Sequence, residues 1–596
     1  MNILLTAINA KYIHSNLAVY SLRACAGEYR DAVELAEYTI NNQKDYILEE
    51  LYKRKPDVLC FSCYIWNIDY VTDIAREYKK LCPSVPIWVG GPEVSYEVEA
   101  FLRENPYIDG VMIGEGEDTF RELCGYYAHQ KRLIDIAGIA FRKKSADGKA
   151  GEIVFTSPRP IKNMSEIPFC YDTLDDFSNR IIYYESSRGC PFSCSYCLSS
   201  VDKTLRFRDT EIVKRELKFF IDQKVPQIKF VDRTFNCNHA HAMELWRFIK
   251  ANDNGVTNFH FEISADLLNQ EELELISDMR PGLIQLEIGV QSTNEVTIKE
   301  IHRTMKLERL KEVVRLIQSG NNIHEHLDLI AGLPYEDYDS FGRSFDEIYE
   351  LKPNQLQLGF LKVLKGSYMF EHAAEYGIVY HDKPPYEVMS TKWLSFDDVI
   401  KIKRVEDMLE VYYNSGQFEI TMKLMECIFD SAFEFFQELG DFYEANGYFG
   451  MSHSRIRRCE ILLEFLSLYL HGCDSDAMTS VGLSENAIDR DNTDFDENAQ
   501  IYSMIQESLI FDLYYRENCK SRPVWATDIG KFKHMTHAYC KNGKLSHVEP
   551  FHYIFPDKHT RKLDELPKYH NEPVWALFHY DMRDPLDHQA LVEYIE

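Results

Sequence analysis

The sequence predicts an α/β chain in three parts: a doubly wound parallel sheet over residues 1–135, a partial (β/α)6 barrel over 181–370, and a mainly helical domain over 371–596. Residues 136–180 read as a linker or strap between the first two. Three observations carry this division. Short apolar runs alternate with amphipathic stretches through residues 1–130, the alternation resumes for about six repeats after residue 180, and the final third is dominated by aromatic-rich helical periodicity. At 596 residues, 45% hydrophobic and 13% aromatic, the chain has ample material for several packed cores.

The N-terminal strand candidates are NILLTAI (2–8), DVLCFSCYI (57–65), VPIWVGG (85–91) and IDGVMIGEG (108–116). Between them, LAVYSLRACAGEY, YILEELYKR, YVTDIAREYKKL and DTFRELCGYY place apolar residues three and four apart, as helices do. Such alternation implies a parallel sheet covered on both faces, whose ligands bind at the carboxyl ends of the strands. The chemistry of this part is therefore expected in the loops Asn9–Asn16, Cys63–Asn67, Gly90–Ser95 and Gly114–Glu117. Gly90, Gly91, Gly114 and Gly116 suit close approach of the backbone to a bulky ligand, and suit a plain tight turn equally well. Beyond residue 130, strand-like IAGIAFRKK and EIVFTS lead into PRPIKNMSEIPFCYDTLDDFSN, which has several prolines and no sustained period.

A second alternating region opens with IIYYESS (181–187), directly before the stretch RGCPFSCSYC. Its further strand candidates are QIKFVD (227–232), FHFEISA (259–265), LIQLEIGV (283–290), IHEHLDLIAGLP (323–334) and QLQLGFLKV (355–363), with helical stretches between. About six such repeats predict a partial barrel of the TIM type, with its active site at the C-terminal ends of the strands. The cysteine stretch follows the first strand and is expected at the mouth. After residue 371, FDDVIKIKRVEDMLEVYYNSG, TMKLMECIFDSAFEFFQEL, RRCEILLEFLSLYL and NAQIYSMIQESLIFDLYYREN are amphipathic helices, and HVEPFHYIF and EPVWALFHYD form a strand-rich tail.

The net charge of −29 argues against a general grip on phosphate backbones and disfavours nucleic acid as a partner. No apolar run approaches the roughly 18–20 residues that span a bilayer. MNILLTAINAKYIHSN has neither the basic start nor the small-residue cleavage site of a secretory signal, so a cytoplasmic location is expected. In that reducing compartment cysteines serve as ligands, nucleophiles or core residues. Cys25, Cys60, Cys63, Cys124, Cys427 and Cys459 lie in apolar runs and are expected in the core, while Cys519 and Cys540 have no partner at metal-ligand spacing.

RGCPFSCSYC differs, because it holds three of the fifteen cysteines, separated by three and then two residues. Structural zinc normally requires a fourth Cys or His, which is missing at short spacing, and a redox pair requires only two thiols. Three thiolates can instead hold three irons of a [4Fe-4S] cube and leave the fourth iron open.

Cys190, Cys194 and Cys197, with Tyr196 before the last, match the CxxxCxxC signature of radical S-adenosylmethionine enzymes, and the chain resembles that family over about residues 180–370. The resemblance implies that the open iron chelates the methionine moiety of S-adenosylmethionine and that electron transfer yields a 5′-deoxyadenosyl radical. It further implies cofactor contacts residue by residue. Asp232 in FVDRTF lies where the family meets the methionine amino end, and Glu262 and Ser264 end the third strand as ribose and carboxylate contacts. Glu287 and Gln291 lie in LEIGVQSTN after the fourth strand, and Gly332 and Leu333 in HLDLIAGLPYE lie near the adenine. Each acid also suits the plain role of capping the helix that follows.

The N-terminal sheet resembles the cobalamin-binding domain of one subclass of this family. GGPEVS (Gly90, Gly91, Pro92, Glu93) and GEGEDTF (Gly114, Glu115, Gly116) are similar to loops that wrap the corrin and its nucleotide tail. The DxHxxG motif is absent, and the loop opened by Asn9 carries His14 in IHSN in its place. The resemblance implies a [4Fe-4S] cluster, S-adenosylmethionine and cobalamin as cofactors, with cobalamin carrying a methyl group to an unactivated carbon. It implies a small-molecule, lipid or peptide substrate and an electron donor such as flavodoxin or ferredoxin. Cobalamin-dependent rearrangement or cyclisation, methylthiotransfer to RNA, and a non-catalytic corrinoid carrier are the alternatives. The C-terminal region is similar to helical extensions of some cobalamin-type members and is the place expected to govern substrate selectivity.

Overall fold

The computed structural model describes residues 1–143, 151–471, 497–540, 545–556, 560, 563 and 565–595. Internal contacts divide them into two units, the first comprising residues 1–325, 332–336 and 359–395, the second 326–331, 337–358 and 396–596.

The first unit opens with a seven-stranded sheet made of β1 (Ile3–Asn9), β2 (Val33–Thr39), β3 (Val58–Ser62), β4 (Ile87–Gly90), β5 (Gly110–Met112), β6 (Ile139–Arg142) and β7 (Ile153–Phe155). The order is β2-β1-β3-β4-β5-β6-β7, with β1 to β5 parallel and β6 and β7 antiparallel. Helices α1 (Leu17–Cys25), α2 (Lys44–Arg54), α3 (Ile68–Leu81), α4 (Val98–Glu104) and α5 (Glu117–Tyr127) connect the strands. Their periodicity explains their placement: Ile68, Val71, Ile74, Ala75 and Tyr78 form one buried stripe of α3 in the core with Leu59, Phe61 and Val89. Three strands add to that reading, β2 by its pattern and β6 and β7 by their place. β2 (VELAEYT) alternates buried and half-buried positions at the sheet edge, so it lacks the continuous apolar run that marks β1 and β3. β6 and β7 fall in the stretch read as linker, yet their hairpin extends the sheet to Phe155.

A second set of strands follows: β8 (Ile182–Tyr184), β9 (Ser187–Arg188), β10 (Arg206–Phe207), β11 (Gln227–Phe230), β12 (Asn258–Ile263) and β13 (Ile284–Gln291). β8, β11, β12 and β13 pair in parallel, while β9 and β10 form a small antiparallel ribbon. Between them run α6 (Thr210–Asp222), α7 (His239–Ala251) and α8 (Gln270–Ser277), followed by α9 (Glu295–Glu300) and α10 (Leu307–Ser319). Strand and helix continue with β14 (His324–Ala331), α11 (Tyr338–Tyr349) and β15 (Gln355–Phe360), completing the six repeats of a partial barrel. α12 (Tyr368–His372) and the antiparallel pair β16 (Val379–Tyr380) and β17 (Val388–Ser390) end the first unit's share. The division into two units runs through β14.

The second unit adds α13 (Phe396–Leu409), α14 (Glu419–Met425), α15 (Ala432–Ala445), α16 (Arg455–His471), α17 (Glu497–Arg516) and α18 (Lys533–Tyr539). Its strand-rich tail is the antiparallel sheet β18 (Ser546–Tyr553), β19 (Tyr569–Arg583) and β20 (Ala590–Ile595), one strand more than expected. Asp346 of α11 caps α15, accepting from Phe433 N at 2.8 Å and Ser431 Oγ at 2.7 Å. Among the cysteines expected in the core, Cys427 is exposed, because it lies just past the last turn of α14.

Asp512 of α17 is buried and accepts from Ile420 N, Thr421 N and Thr421 Oγ at 2.7–2.9 Å. Burial pushes its carboxyl up to about 7 against the pull of those donors. The unfolded value is about 3.9, so the folded state holds the proton more tightly. Stability from this group is full below about pH 4 and is lost as pH rises to about 7, with an upper bound of about 4 kcal/mol. The stability difference between wild type and Asp512→Asn, followed by thermal melts, is expected to shrink from about pH 5 to about pH 8 and stay constant above. A difference independent of pH would refute this account.

Candidate functional site

β8 leads through Ser186 into β9 and the cysteine loop. Cys190 and Cys194 are buried and Cys197 is half-buried. The loop is fastened by backbone bonds: Cys190 N donates to Asp202 O (3.4 Å), Cys197 N to Cys194 O (3.1 Å), Ser195 N to Ile301 O (2.9 Å) and Met369 N to Ser195 O (2.9 Å). Burial pushes the Cys190 thiol up, opposed by its contact with Thr234 Oγ1 at 3.8 Å. Arg303 reaches the same loop. Its Nη1 donates to Cys194 Sγ (3.8 Å) and to Tyr196 OH (3.3 Å), and its Nη2 donates to Gly289 O at the end of β13. A guanidinium at this place offsets thiolate charge. Arg303 carries no local sequence signal, because it lies twelve positions after Gln291 and only the fold returns it to the cysteines.

Three polar atoms around this loop are buried with no hydrogen-bond partner among the described residues: Ser195 Oγ, Gln291 Oε1 and Arg303 Nε. Gln291 also holds a positive φ of 76° at the very end of β13, a conformation rare outside glycine. Buried polar atoms normally find partners, so this local concentration fits a polar ligand beside the thiols. Among the described residues no three His, Cys, Asp or Glu side chains converge as ligands of one ion. Convergence of that kind is a requirement of a mononuclear ion, whereas in a cube each thiolate takes a different iron. The donor set fits a [4Fe-4S] cluster with a polar small molecule at its side.

Asp232 is engaged by the chain itself. It is fully buried, and its carboxylate accepts from Ser186 N (2.9 Å), Ser186 Oγ (2.6 Å) and Ser187 Oγ (2.5 Å). Ser186 Oγ also meets His241 Nε2 at 3.0 Å, and burial draws that imidazole down to about 4, so it is neutral. Asp232 therefore latches the chain that enters the cysteine loop, with three donors of that chain on its carboxylate. Ser264 is similarly engaged, its Oγ donating to Asp266 (2.7 Å) and its N to Asn236 Oδ1 (3.0 Å). Leu333 is buried, and the side-chain space at Gly332 is closed by Val388, 2.7 Å from where a Cβ would stand.

Glu287 lies deeper in the barrel. Strand register aligns Tyr183, Lys229, His260 and Gln285 across β8, β11, β12 and β13, with Glu262 and Glu287 aligned in the next layer. Glu287 bridges Lys229 Nζ (2.8 Å) and His260 Nε2 (3.0 Å), and Tyr183 OH meets His14 Nδ1 at 2.7 Å. Burial opposes ionisation of Glu287, but His260 and Lys229 outweigh it and hold the carboxyl at about 2. Barrels of this kind are usually filled with branched apolar side chains, whereas here Lys229 and Glu287 keep 24% and 22% of their side chains exposed within a polar wall.

The loops of the N-terminal sheet divide. Asn9 is committed to the chain, donating to His14 O (3.0 Å) and Glu37 Oε1 (2.9 Å). His14, with Tyr183 on its Nδ1, faces the first barrel strand, and burial lowers its pKa. Gly91 is demanded by packing: φ is +122° and a Cβ would stand 2.3 Å from Cys63 O. Gly114, at φ +75°, has open space beside it, and so keeps the close approach that a bulky ligand requires. Gly90 faces Met112 and Gly116 faces Leu22. Pro92 and Glu93 form a 3-10 turn in which Glu93 accepts from Tyr386 OH. Glu115 is also taken up by the chain, bonded to Arg206 at 2.7 Å and Arg188 at 3.4 Å.

Family models match three stretches: a B12 binding domain over residues 3–124, the Radical SAM superfamily over 184–348, and a protein family of unknown function (DUF4080) over 374–585. The 2-(S-pantetheinyl)-carbapenam-3-carboxylate methyltransferase of Streptantibioticus cattleyicolor is 28% identical over 319 residues, 50% of this chain and 45% of that protein. An anaerobic magnesium-protoporphyrin IX monomethyl ester cyclase of Rubrivivax gelatinosus is 23% identical, covering 55% of this chain and 60% of that protein. The chain spans about half the length of the first curated relatives it matches. The radical S-adenosylmethionine methyltransferase TsrM of Kitasatospora setae, solved with cobalamin and a [4Fe-4S] cluster, shares the fold at a TM-score of 0.51 and 17% identity, over 65% of this chain and 79% of that one. The chain thus carries a stretch matched to B12 binding domains ahead of a stretch matched to the Radical SAM superfamily, and the second of these holds the CxxxCxxC loop.

Proposed function

We propose that the protein is a cobalamin-dependent radical S-adenosylmethionine methyltransferase that methylates an unactivated carbon of a small polar molecule. The observation that carries this reading is the buried loop of Cys190, Cys194 and Cys197 at the end of β8, beside three unpartnered polar atoms and next to a sheet matched to B12 binding domains. In this reading the three thiolates hold the cluster, and the open face at Gly114 belongs to the corrinoid site. Bound, the cluster supplies the electron that cleaves S-adenosylmethionine to a hydrogen-abstracting radical, and cobalamin supplies the methyl group. The chain's own residues then have three tasks. Arg303 offsets the charge on Cys194, Ser195 Oγ and Gln291 Oε1 offer hydrogen bonds to the methionine and adenosine groups, and the buried loop keeps water from the radical. The Lys229–Glu287–His260 wall favours a substrate that hydrogen-bonds over a hydrocarbon lipid. A one-electron donor such as flavodoxin or ferredoxin and a cytoplasmic setting complete the reading. Among the described residues no helix is long and apolar enough to cross a membrane.

The test is chemical. After anaerobic cluster reconstitution with cobalamin, turnover with methyl-labelled S-adenosylmethionine is expected to yield 5′-deoxyadenosine and S-adenosylhomocysteine together, with label in a polar product. 5′-Deoxyadenosine without S-adenosylhomocysteine would sink methyl transfer and favour the ring-forming chemistry named for the cyclase relative.

A further inference from the structure

Arg188, two residues before Cys190, sits in a cage of carboxylates drawn from two different parts of the first unit. Its guanidinium bonds Glu185 (2.9 Å) from the link between β8 and β9, and Glu117 (2.5 Å) and Glu115 (3.4 Å) from the loop and helix start that follow β5. The cage is built, not incidental. Arg188 pairs directly with Arg206 across the β9–β10 ribbon, an arrangement of like charges that is unfavourable by itself. Glu115 resolves it by bonding Arg206 at 2.7 Å as well as Arg188, and Arg206 also meets Asp202 at 3.2 Å. Burial is deep: Arg188 is 18% exposed, Arg206 13% and Glu117 7%. Charges so placed are screened little by salt or water. The cage therefore fixes the electrostatic field immediately beside the cysteine loop, and it does so with two carboxylates that belong to the B12-binding sheet.

We infer that Glu117, acting through Arg188, is a positioning residue that sets the reduction potential of the cluster held by Cys190, Cys194 and Cys197 and locks that loop to the loop after β5. This rests on the proposed function, since it presumes that the three thiols hold a [4Fe-4S] cluster. Reduction adds one electron to the cluster from an external donor and breaks no bond. Its potential is set by net charge, hydrogen bonding and burial around the sulfurs, so a fixed anion nearby disfavours the reduced, more negative state. Through Glu117 the sheet that faces the second cofactor also governs the readiness of the first.

The experiment is an anaerobic redox titration of the reconstituted full chain, followed by electron paramagnetic resonance, for wild type, Glu117→Gln and Asp109→Asn. Asp109 is a comparable carboxylate, paired with Lys79 at 2.7 Å, but it precedes β5 at the opposite end of the strand. Glu117→Gln is expected to keep four irons per chain and to shift the midpoint upward. At a fixed poise its reduced-to-oxidised ratio should rise about tenfold, about 59 mV for a one-electron couple. Asp109→Asn is expected to leave the midpoint where it is. Four irons with an unchanged midpoint in Glu117→Gln, or an equal shift in Asp109→Asn, would overturn the inference. Should Glu117→Gln fail to hold the cluster, Glu115→Gln, at 23% exposure, takes its place with the same expected sign. A wild-type chain that takes up no four-iron cluster refutes the proposed function instead.

Discussion

Replacing Cys190, Cys194 or Cys197 singly by alanine is expected to abolish four-iron incorporation and turnover while leaving the fold in place. Each thiolate serves one iron of the cube, so the loss of one leaves a second iron open and the assembly without a closed protein side. The folded chain has little at stake in the same atoms. The cysteine loop is held by backbone bonds to Asp202, Ile301 and Met369, none of which passes through a sulfur. Deleting one buried sulfur costs on the order of 1–2 kcal/mol of stability, the scale of a small cavity. Iron analysis and absorption near the sulfur-to-iron charge-transfer bands report the cluster, and thermal melting reports the fold. Retained iron and activity in any one variant would defeat the catalytic assignment, and a collapsed melt would show the cysteines to be core residues.

Asp232→Ala is expected to do the reverse, damaging the fold first and the cluster as a consequence. The substitution strips a fully buried acceptor from three donors, Ser186 N, Ser186 Oγ and Ser187 Oγ. Each buried donor left unmade costs about 1–3 kcal/mol, so a total of about 3–5 kcal/mol is expected after partial relaxation. The loss falls on the two residues immediately before Arg188, so the entrance to the cysteine loop loosens with it. Denaturant unfolding of the apo chain measures the effect without any cofactor. An apo chain of unchanged stability, with weakened S-adenosylmethionine binding in the loaded one, would return Asp232 to the cofactor contact that its position after β11 suggested.

That contrast shows how far the sequence could be read. Cys190, Cys194 and Cys197 were legible because ligand spacing within one loop is a local property, surviving in the string of residues without any knowledge of the fold. Most strands of the N-terminal sheet and the barrel were legible because a buried parallel strand is a continuous apolar run. β2 escaped that criterion because an edge strand with two glutamates alternates instead, while β6 and β7 read as strand-like and only their antiparallel addition to the parallel sheet was not legible. Carboxylates within and just after strands looked alike in sequence. Asp232 turned inward to two serines, Glu115 turned to two arginines, and Glu287 turned to Lys229 and His260.

The sequence by itself determined the class of chemistry: a three-thiol loop after the first strand of a barrel, preceded by an alternating sheet and followed by aromatic-rich helices. Only the tertiary structure decided which groups surround the thiols. Arg303 returns to Cys194 from 109 residues away, Glu117 reaches Arg188 across 71, and Ser186 meets Asp232 across 46. Spacing rules act over a few residues, whereas charge and hydrogen bonding act through a few ångströms of space, and it is the folding of the chain that brings those distant positions within reach.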